Sequence, residues 1–322
     1  MSLSVACAYW PAPVCWPLVK IRSGPGRLVA AKSNPDAFNA ALSDVELNPE
    51  PLNEQTHSWQ ALLELGFAPR HGKTVLVRRR HQGPLAVQRP FYPEGGVCHV
   101  YILHPPGGIV AGDKLTINAT AEAGSNALLT TPAAGKFYRS EGRTATQRIE
   151  LAVAENAVLE WLPQESIIYE GARVKSEVRL ELAQSARFIG WEVLALGRPA
   201  AGEGFAGGEV DLDWQIRLAG KLLYRERLRL DAEAFNAAWG LNGHAACGTL
   251  FIFGAQPSHR EQVRELIGER PGLGVTLTGE LLICRGLDSQ AGRLREFFQQ
   301  VWQTLRPDLL QRPAAAPRIW AT

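Results

Sequence analysis

Carboxylates set at bends of the chain are the side chains in this sequence best placed to do chemistry. Asp113 closes the run FYPEGGVCHVYILHPPGGIVAGD, and Glu160 and Glu165 bracket Leu162-Pro163 in LEWLPQESIIYEGA. The first stands just beyond a corner. A stretch of strand character, Val97 to Leu103, ends at His104 and meets Pro105-Pro106-Gly107-Gly108. Two prolines fix φ and remove donors, and two glycines admit conformations closed to other residues, so this bend is rigid. Such a corner holds a carboxylate or a turn in one place, but alone it names no reaction. Glu160 faces away from Leu159 and Trp161 in its strand, and a carboxylate among bulky apolar neighbours must be paired or hydrated. Thr130, Glu160 and, more loosely, Glu192 follow their small turn residues by three, three and six positions. In a stack of repeated units that spacing predicts a row of polar groups, with Asp113 and Glu165 nearby, lining a wet passage suited to a hard or borderline cation. The alternative pairs the same carboxylates with the many arginines.

Other chemistries find less support. Borderline metals want converging imidazole, thiolate or carboxylate ligands. The seven histidines, His57, His71, His81, His99, His104, His244 and His259, make no His-x-His or His-x₃-His pair. Cys98 and His104 share a strand face but would lie about 20 Å apart, and Cys98 and His99 point to opposite faces. His104 therefore reads as a packed or hydrogen-bonded corner residue, with a ligand role second, and Cys98 as a small buried hydrophobe. No glycine-flanked serine elbow accompanies Thr130, Thr131, Ser140 or Ser166. Gly107-Gly108 and Gly207-Gly208 lack a phosphate-loop context, so a nucleotide would have to be handled by a partner. A β-solenoid carbohydrate-active enzyme stays open as a rival, with two among Asp113, Glu160 and Glu165 as acid and base and Trp161 and Trp191 as platforms. So does a metal-free interaction module.

The elements that must position these groups are mostly strands. From Lys73 to about Leu230 the pattern alternates with period two, as in Val178-Arg179-Leu180-Glu181-Leu182, which is the signature of half-buried strands. The segments LTINATAEAGSNALLTTP, IELAVAENAVLEWLPQE, VRLELAQSARFIGWEV and IRLAGKLLYRERL echo one another as strand, tight turn, strand, and Ala127, Ala157 and Ala186 recur at roughly 30 residues. The fold predicted is mainly β: a β-helical, two-layer stack of strand–turn–strand units with a short C-terminal helical region, with ordinary hairpins of a β-sandwich as the alternative. Ser258 is the predicted cap of a short helix carrying Val263, Leu266 and Ile267, and a longer helix, Ser289 to Leu305, is predicted to stop at Pro307.

Composition bounds the partners and the compartment. Thirty-four Lys and Arg against 32 Asp and Glu leave +2 over 322 residues, too balanced for a nucleic-acid footprint. Five cysteines without CxxC spacing argue for a reducing compartment, and no apolar run reaches membrane-spanning length. Residues 1 to 55 are rich in Pro, Ala, Ser and Asn, and three prolines interrupt what would be a signal-peptide core. They read as a mobile extension, with residues 1 to about 52 dispensable, ahead of a β-rich domain over residues 56–322. A downstream start fits equally and needs a non-AUG codon, since Met1 is the sole methionine.

Read together and in order, HPPGGIVAGD, TTPAAGKFYRS, LEWLPQESIIYEGA, GRPAAGEGF, the Glu226-Arg227 pair and the tail LRPDLLQRPAAAPRIWAT resemble the successive blocks of the urease accessory protein family UreD, also called UreH. The likeness spans about Trp59 to Thr322, with Ala111 where the family usually has Gly. It implies a β-helical two-layer fold with helices at one end. It also implies a non-enzymatic cytoplasmic chaperone or scaffold that helps load nickel into the urease apoprotein (UreABC), working with UreF and the GTPase UreG and supplied upstream by UreE. No tightly bound cofactor is implied, only transient nickel in an internal tunnel. The family motifs fall here on His104, Gly107, Gly108 and Asp113; Lys136, Tyr138, Arg139 and Ser140; Glu160, Pro163 and Glu165; and Arg198 and Glu203.

Overall fold

The structure, a computed structural model, describes residues 58–321. The expected extension over residues 1 to 55, with Cys7 and Cys15, lies outside the described residues. The described chain opens with the hairpin β1 (Gln60–Arg70) and β2 (Lys73–Gln82), then β3 (Ala86–Val87) and β4 (Cys98–Leu103). Three units of one design follow. The first is β5 (Lys114–Ala121) and β6 (Asn126–Thr130), trailed by β7 (Gly135–Phe137). The second is β8 (Ala145–Val153), β9 (Val158–Trp161) and β10 (Ser166–Ile168). The third is β11 (Arg173–Leu182) and β12 (Arg187–Leu196). Then come β13 (Glu209–Leu218), β14 (Lys221–Leu230), α1 (Ala232–Asn236), β15 (Ala246–Phe253), α2 (Pro257–Ile267), β16 (Leu273–Thr278), β17 (Leu281–Asp288) and α3 (Ala291–Leu310).

Each unit sends its first strand to a seven-stranded sheet and its second to a ten-stranded one. Equivalent strands stack in parallel, β5 with β8 and β11, β6 with β9 and β12. This is the predicted two-layer, β-solenoid-like stack with a C-terminal helix, except that the fourth expected unit, IRLAGKLLYRERL, is an antiparallel hairpin of β13 and β14 within the seven-stranded sheet rather than a crossover between layers. The turn between layers repeats: Ser125, Ala157 and Ala186 each donate N–H to the carbonyl three residues back, at 2.9, 3.1 and 3.1 Å. All three are fully buried, so a small side chain is needed where the chain passes between sheets. The repeating position is thus Ser125, not Ala127; Ala127 lies two residues further on, beside Leu159.

Two apolar layers result. Leu63, Phe67, Leu129, Leu159, Phe188 and Phe251 fill the space between the sheets. Leu128, Ile189, Trp191, Leu250, Val301 and Trp302 fill a second layer between the ten-stranded sheet and the helices. The central strands of that sheet are therefore buried on both faces, as a covered parallel sheet must be. Two helix expectations need correcting. Gln256, not Ser258, caps α2, exchanging bonds with His259 across the first turn. Pro307 does not stop α3, which runs on to Leu310. A proline inside a helix costs about 3 kcal/mol, and the burial of Arg306, Leu309 and Leu310 around it offsets that loss.

Candidate functional site

The strand register separates the residues predicted to share one passage. Glu160 stands beside Leu128 and Ile189 on the helix-covered face of the ten-stranded sheet. There its Oε2 accepts from Trp302 Nε1 (2.6 Å) and Arg306 Nε (2.9 Å), and its Oε1 accepts from Arg306 NH2 (2.9 Å). Arg306 is fully buried and also donates to both Glu94 oxygens, at 2.7 and 2.9 Å, while His99 Nε2 lies 2.6 Å from Glu94. Thr130 is on the same covered face. Its hydroxyl donates to Leu162 O (2.6 Å) and accepts from Trp320 Nε1 (2.9 Å). Glu165 pairs with Arg295 of α3 at 3.1 Å, and Pro163 O accepts from Trp191 Nε1 at 2.8 Å. Thr130, Glu160 and Glu165 therefore anchor the C-terminal helix and tail rather than line a wet row.

Asp113 does different work at the corner. Its two oxygens accept the N–H groups of Trp59 (2.7 Å) and Val110 (3.0 Å), closing the turn that leads into β5. Gly107 adopts φ +78° and donates to His104 O at 3.1 Å. Gly108 lies against the Tyr138 ring, where an added Cβ would come within 2.0 Å of a ring carbon, so only glycine fits. Burial lowers the His104 pKa below its ordinary value, against the charge of Asp113, which raises it. The remaining motif residues extend from this corner along one edge. Tyr138 packs edge-on to Tyr169 at 4.9 Å, the Arg198 guanidinium lies 4.5 Å over the Tyr169 ring, and Arg198 pairs with Glu203. Glu203 in turn accepts from Glu170 N–H at 2.8 Å, and Ser140 N–H donates to Gly171 O at 3.0 Å. Arg139 packs against Gly171. Lys136 and His104 line a cavity of about 440 Å³ beside them.

That cavity is the first of three that adjoin between the sheets. It shares Ile117, Thr131, Gly135 and Gln147 with a narrow one of about 80 Å³. The narrow cavity shares Glu192 and Trp214 with a third of about 300 Å³, whose polar lining includes Glu226, Cys247, Thr249 and Arg285. Glu192 thus sits at the junction. It pairs with Thr249 across β12 and β15 and faces the space between the sheets, opposite in facing to Glu160. Trp214 Nε1 donates to it at 2.7 Å and Ser176 Oγ at 3.3 Å. Burial raises its pKa to about 7, with the Glu226 charge adding, against the bonds from Trp214 and Ser176. Burial also pushes the Cys247 thiol up to about 12, so it meets a cation as a neutral, weak donor. Sequence reasoning had Glu192 only as a loose third member of the row, and passed over Gln147, Thr249 and Arg285. Thr131, one residue from the favoured Thr130, is the hydroxyl that faces the cavities.

Residues 60–321 match the family profile described as UreD urease accessory protein. The chain is 48% identical over 273 residues to the urease accessory protein UreD of Pseudomonas putida strain W619, covering 84% of this chain and 97% of that protein. It is 43% identical over 270 residues to the protein of the same name from Methylobacillus flagellatus, covering 82% and 95%. The corresponding figures for Alkalilimnicola ehrlichii are 44% over 269 residues, 82% and 92%. The chain belongs to the UreD urease accessory protein family.

For a UreD-family chain the donor set between the sheets is telling. Among the described residues no three His, Cys, Asp or Glu side chains converge as a metal cage. The cavity line instead offers hydroxyls, an amide, the Glu192 carboxylate and a Glu226 carboxylate already paired with Arg285, a set that holds a divalent cation weakly. The carboxylates proposed for a glycosidase do not meet in an open groove, and Trp161 and Trp191 are buried rather than exposed platforms. Among the described residues of this UreD-family chain no helix is long and apolar enough to cross a membrane.

Proposed function

We propose that this chain is a non-enzymatic cytoplasmic scaffold in urease maturation that conducts nickel between its two sheets to the urease apoprotein. UreF and the GTPase UreG are its partners in that reading, and UreE the upstream donor. Family membership supports the role in urease maturation. The observation that carries the passage is the line of three cavities sharing lining residues and meeting at Glu192. The passage residues in this reading are Thr131, Gln147, Glu192 and Glu226; the earlier set of Asp113, Thr130, Glu160 and Glu165 keeps a structural part. A lone carboxylate in a desolvated site attracts a dehydrating cation, while the absence of a converging cage lets it leave. Glu192→Gln preserves volume and hydrogen bonding but removes the charge. Urease co-expressed with that variant should contain severalfold less nickel, while the variant co-purifies with UreF and UreG as the wild type does. Full nickel content with an intact complex would reject the passage and leave a metal-free interaction module.

A further inference from the structure

The third cavity holds a cation of its own. Arg285 Nε donates to Glu226 Oε2 at 2.7 Å, and its NH2 reaches both that oxygen and the Tyr224 hydroxyl. Thr249 Oγ1 donates to the other Glu226 oxygen at 2.7 Å, and Tyr224 OH to Oε2 at 3.0 Å. Glu226 is thereby fully engaged, and it lines the same cavity as Glu192. A guanidinium there opposes any second cation, which is the reverse of what a cation route needs while cargo passes. Yet the Arg285 side chain is 52% exposed, against 22% for Glu226. Half-exposed ion pairs are worth little and exchange readily with solvent, so the arginine can swing outward without unmaking the sheet.

We infer that Arg285 is a displaceable counter-ion that occupies Glu226 in the third cavity, beyond Glu192, and so selects divalent over monovalent cations. This rests on the passage reading above. A divalent ion is attracted to the Glu226 carboxylate about twice as strongly as a single positive charge at equal distance, so it can evict the guanidinium. A monovalent ion has no such advantage. Removing the arginine's charge should free Glu226 and make the cavity bind divalent ions more tightly and with less choice. The pair is thus a specificity device, and a stabilising role for β14 against β17 is only incidental to it.

The test is calorimetric titration of Ni²⁺ alone, and of Zn²⁺ alone, into the purified full chain, with thermal melts alongside. Arg285→Gln and Arg285→Met should each bind Ni²⁺ on the order of tenfold more tightly than wild type. Arg285→Lys, which keeps the charge, should stay near wild type, and Arg285→Gln with Glu226→Gln should lose the gain. Excess K⁺ should weaken Ni²⁺ binding by Arg285→Gln while leaving that of wild type and Arg285→Lys unchanged. Unchanged Ni²⁺ affinity in both neutral variants, or a gain that survives in the double variant, overturns the inference. The two readings fail separately: normal nickel delivery by Glu192→Gln rejects the passage, whereas the affinity series judges Arg285 alone.

Discussion

One position decides which side of a strand a residue serves, and here that step separates a hydroxyl at the helix interface from one at the cavities. Thr130 and Thr131 are adjacent, yet Thr130 meets Trp320 under the C-terminal tail and Thr131 lines two cavities between the sheets. In strands buried on both faces alternation no longer marks an outside, so the sequence shows that polar groups are present but not which way they point. Glu160 and Glu192 have the same ambiguity, and the structure sends them to opposite faces. Their mutants should therefore behave oppositely. Glu192 has a folded pKa raised from 4.5 to about 7, so the folded chain binds the extra proton between those values and the unfolded chain does not. The stability that protonation gives is full below pH 4.5 and is lost as pH rises through 7. Glu192→Gln should then match wild type near pH 4.5 and exceed it above pH 7. Urea melts at both pH values check this. A variant less stable at pH 8 would mean that Glu192 is held by its bonds rather than strained by burial.

The strand–turn–strand units were legible because the turn between layers tolerates only a small residue, and that demand recurs in Ser125, Ala157 and Ala186. The long helix was legible from its apolar spacing, but its end was not. Pro307 is a local stop signal, and the residues that override it act through contacts more than a hundred positions away, Arg306 with Glu160 and Glu94. Phe297 and Phe298 are adjacent and both buried, which fits a helix lodged against the chain's own sheet. The buried ionic cluster sets the terms of that docking. Arg306→Met leaves Glu160 and Glu94 without their shared guanidinium and should cost about 3–5 kcal/mol, whereas Glu160→Gln leaves Arg306 its two bonds to Glu94 and should cost less. Glu160→Leu with Arg306→Met removes that pair but leaves Glu94 only His99 as partner, so it should recover part of the Arg306→Met loss and not all of it, to be read from chemical denaturation of the three variants. Truncation after Leu310 removes Trp320 from Trp191, Trp302 and Thr130. It should leave little soluble protein and no complex with UreF; unchanged co-purification would show that the tail is dispensable to docking.

Across the whole molecule, two sheets joined by short crossovers leave a space whose apolar filling is interrupted along one line. The interruption follows from the fold: Glu192 and Thr249 from one sheet and Trp214 and Glu226 from the other must meet polar atom to polar atom, and their side chains do not fill the gap as leucines would. The smallest of the three cavities, about 80 Å³, is lined by Gln147, Thr131 and Gln164, so traffic along the line should be most sensitive there. Gln147→Leu keeps the volume and makes that stretch dry, and Gln147→Lys keeps it polar while fixing a positive charge in it. If a cation travels the line, the lysine variant should lower urease nickel content by about tenfold, because repulsion in a narrow, weakly solvated channel is poorly screened. The leucine variant should lower it less, through lost hydration alone, and extra nickel in the medium should restore it more fully than the lysine variant. A purely structural glutamine predicts the same order, since buried lysine destabilises and leucine does not, but with melting temperature and nickel content falling together and no restoration by extra nickel. Measuring both quantities on the purified complexes separates a blocked route from a weakened fold, and equal nickel content in wild type and both variants would mean the cavities carry nothing.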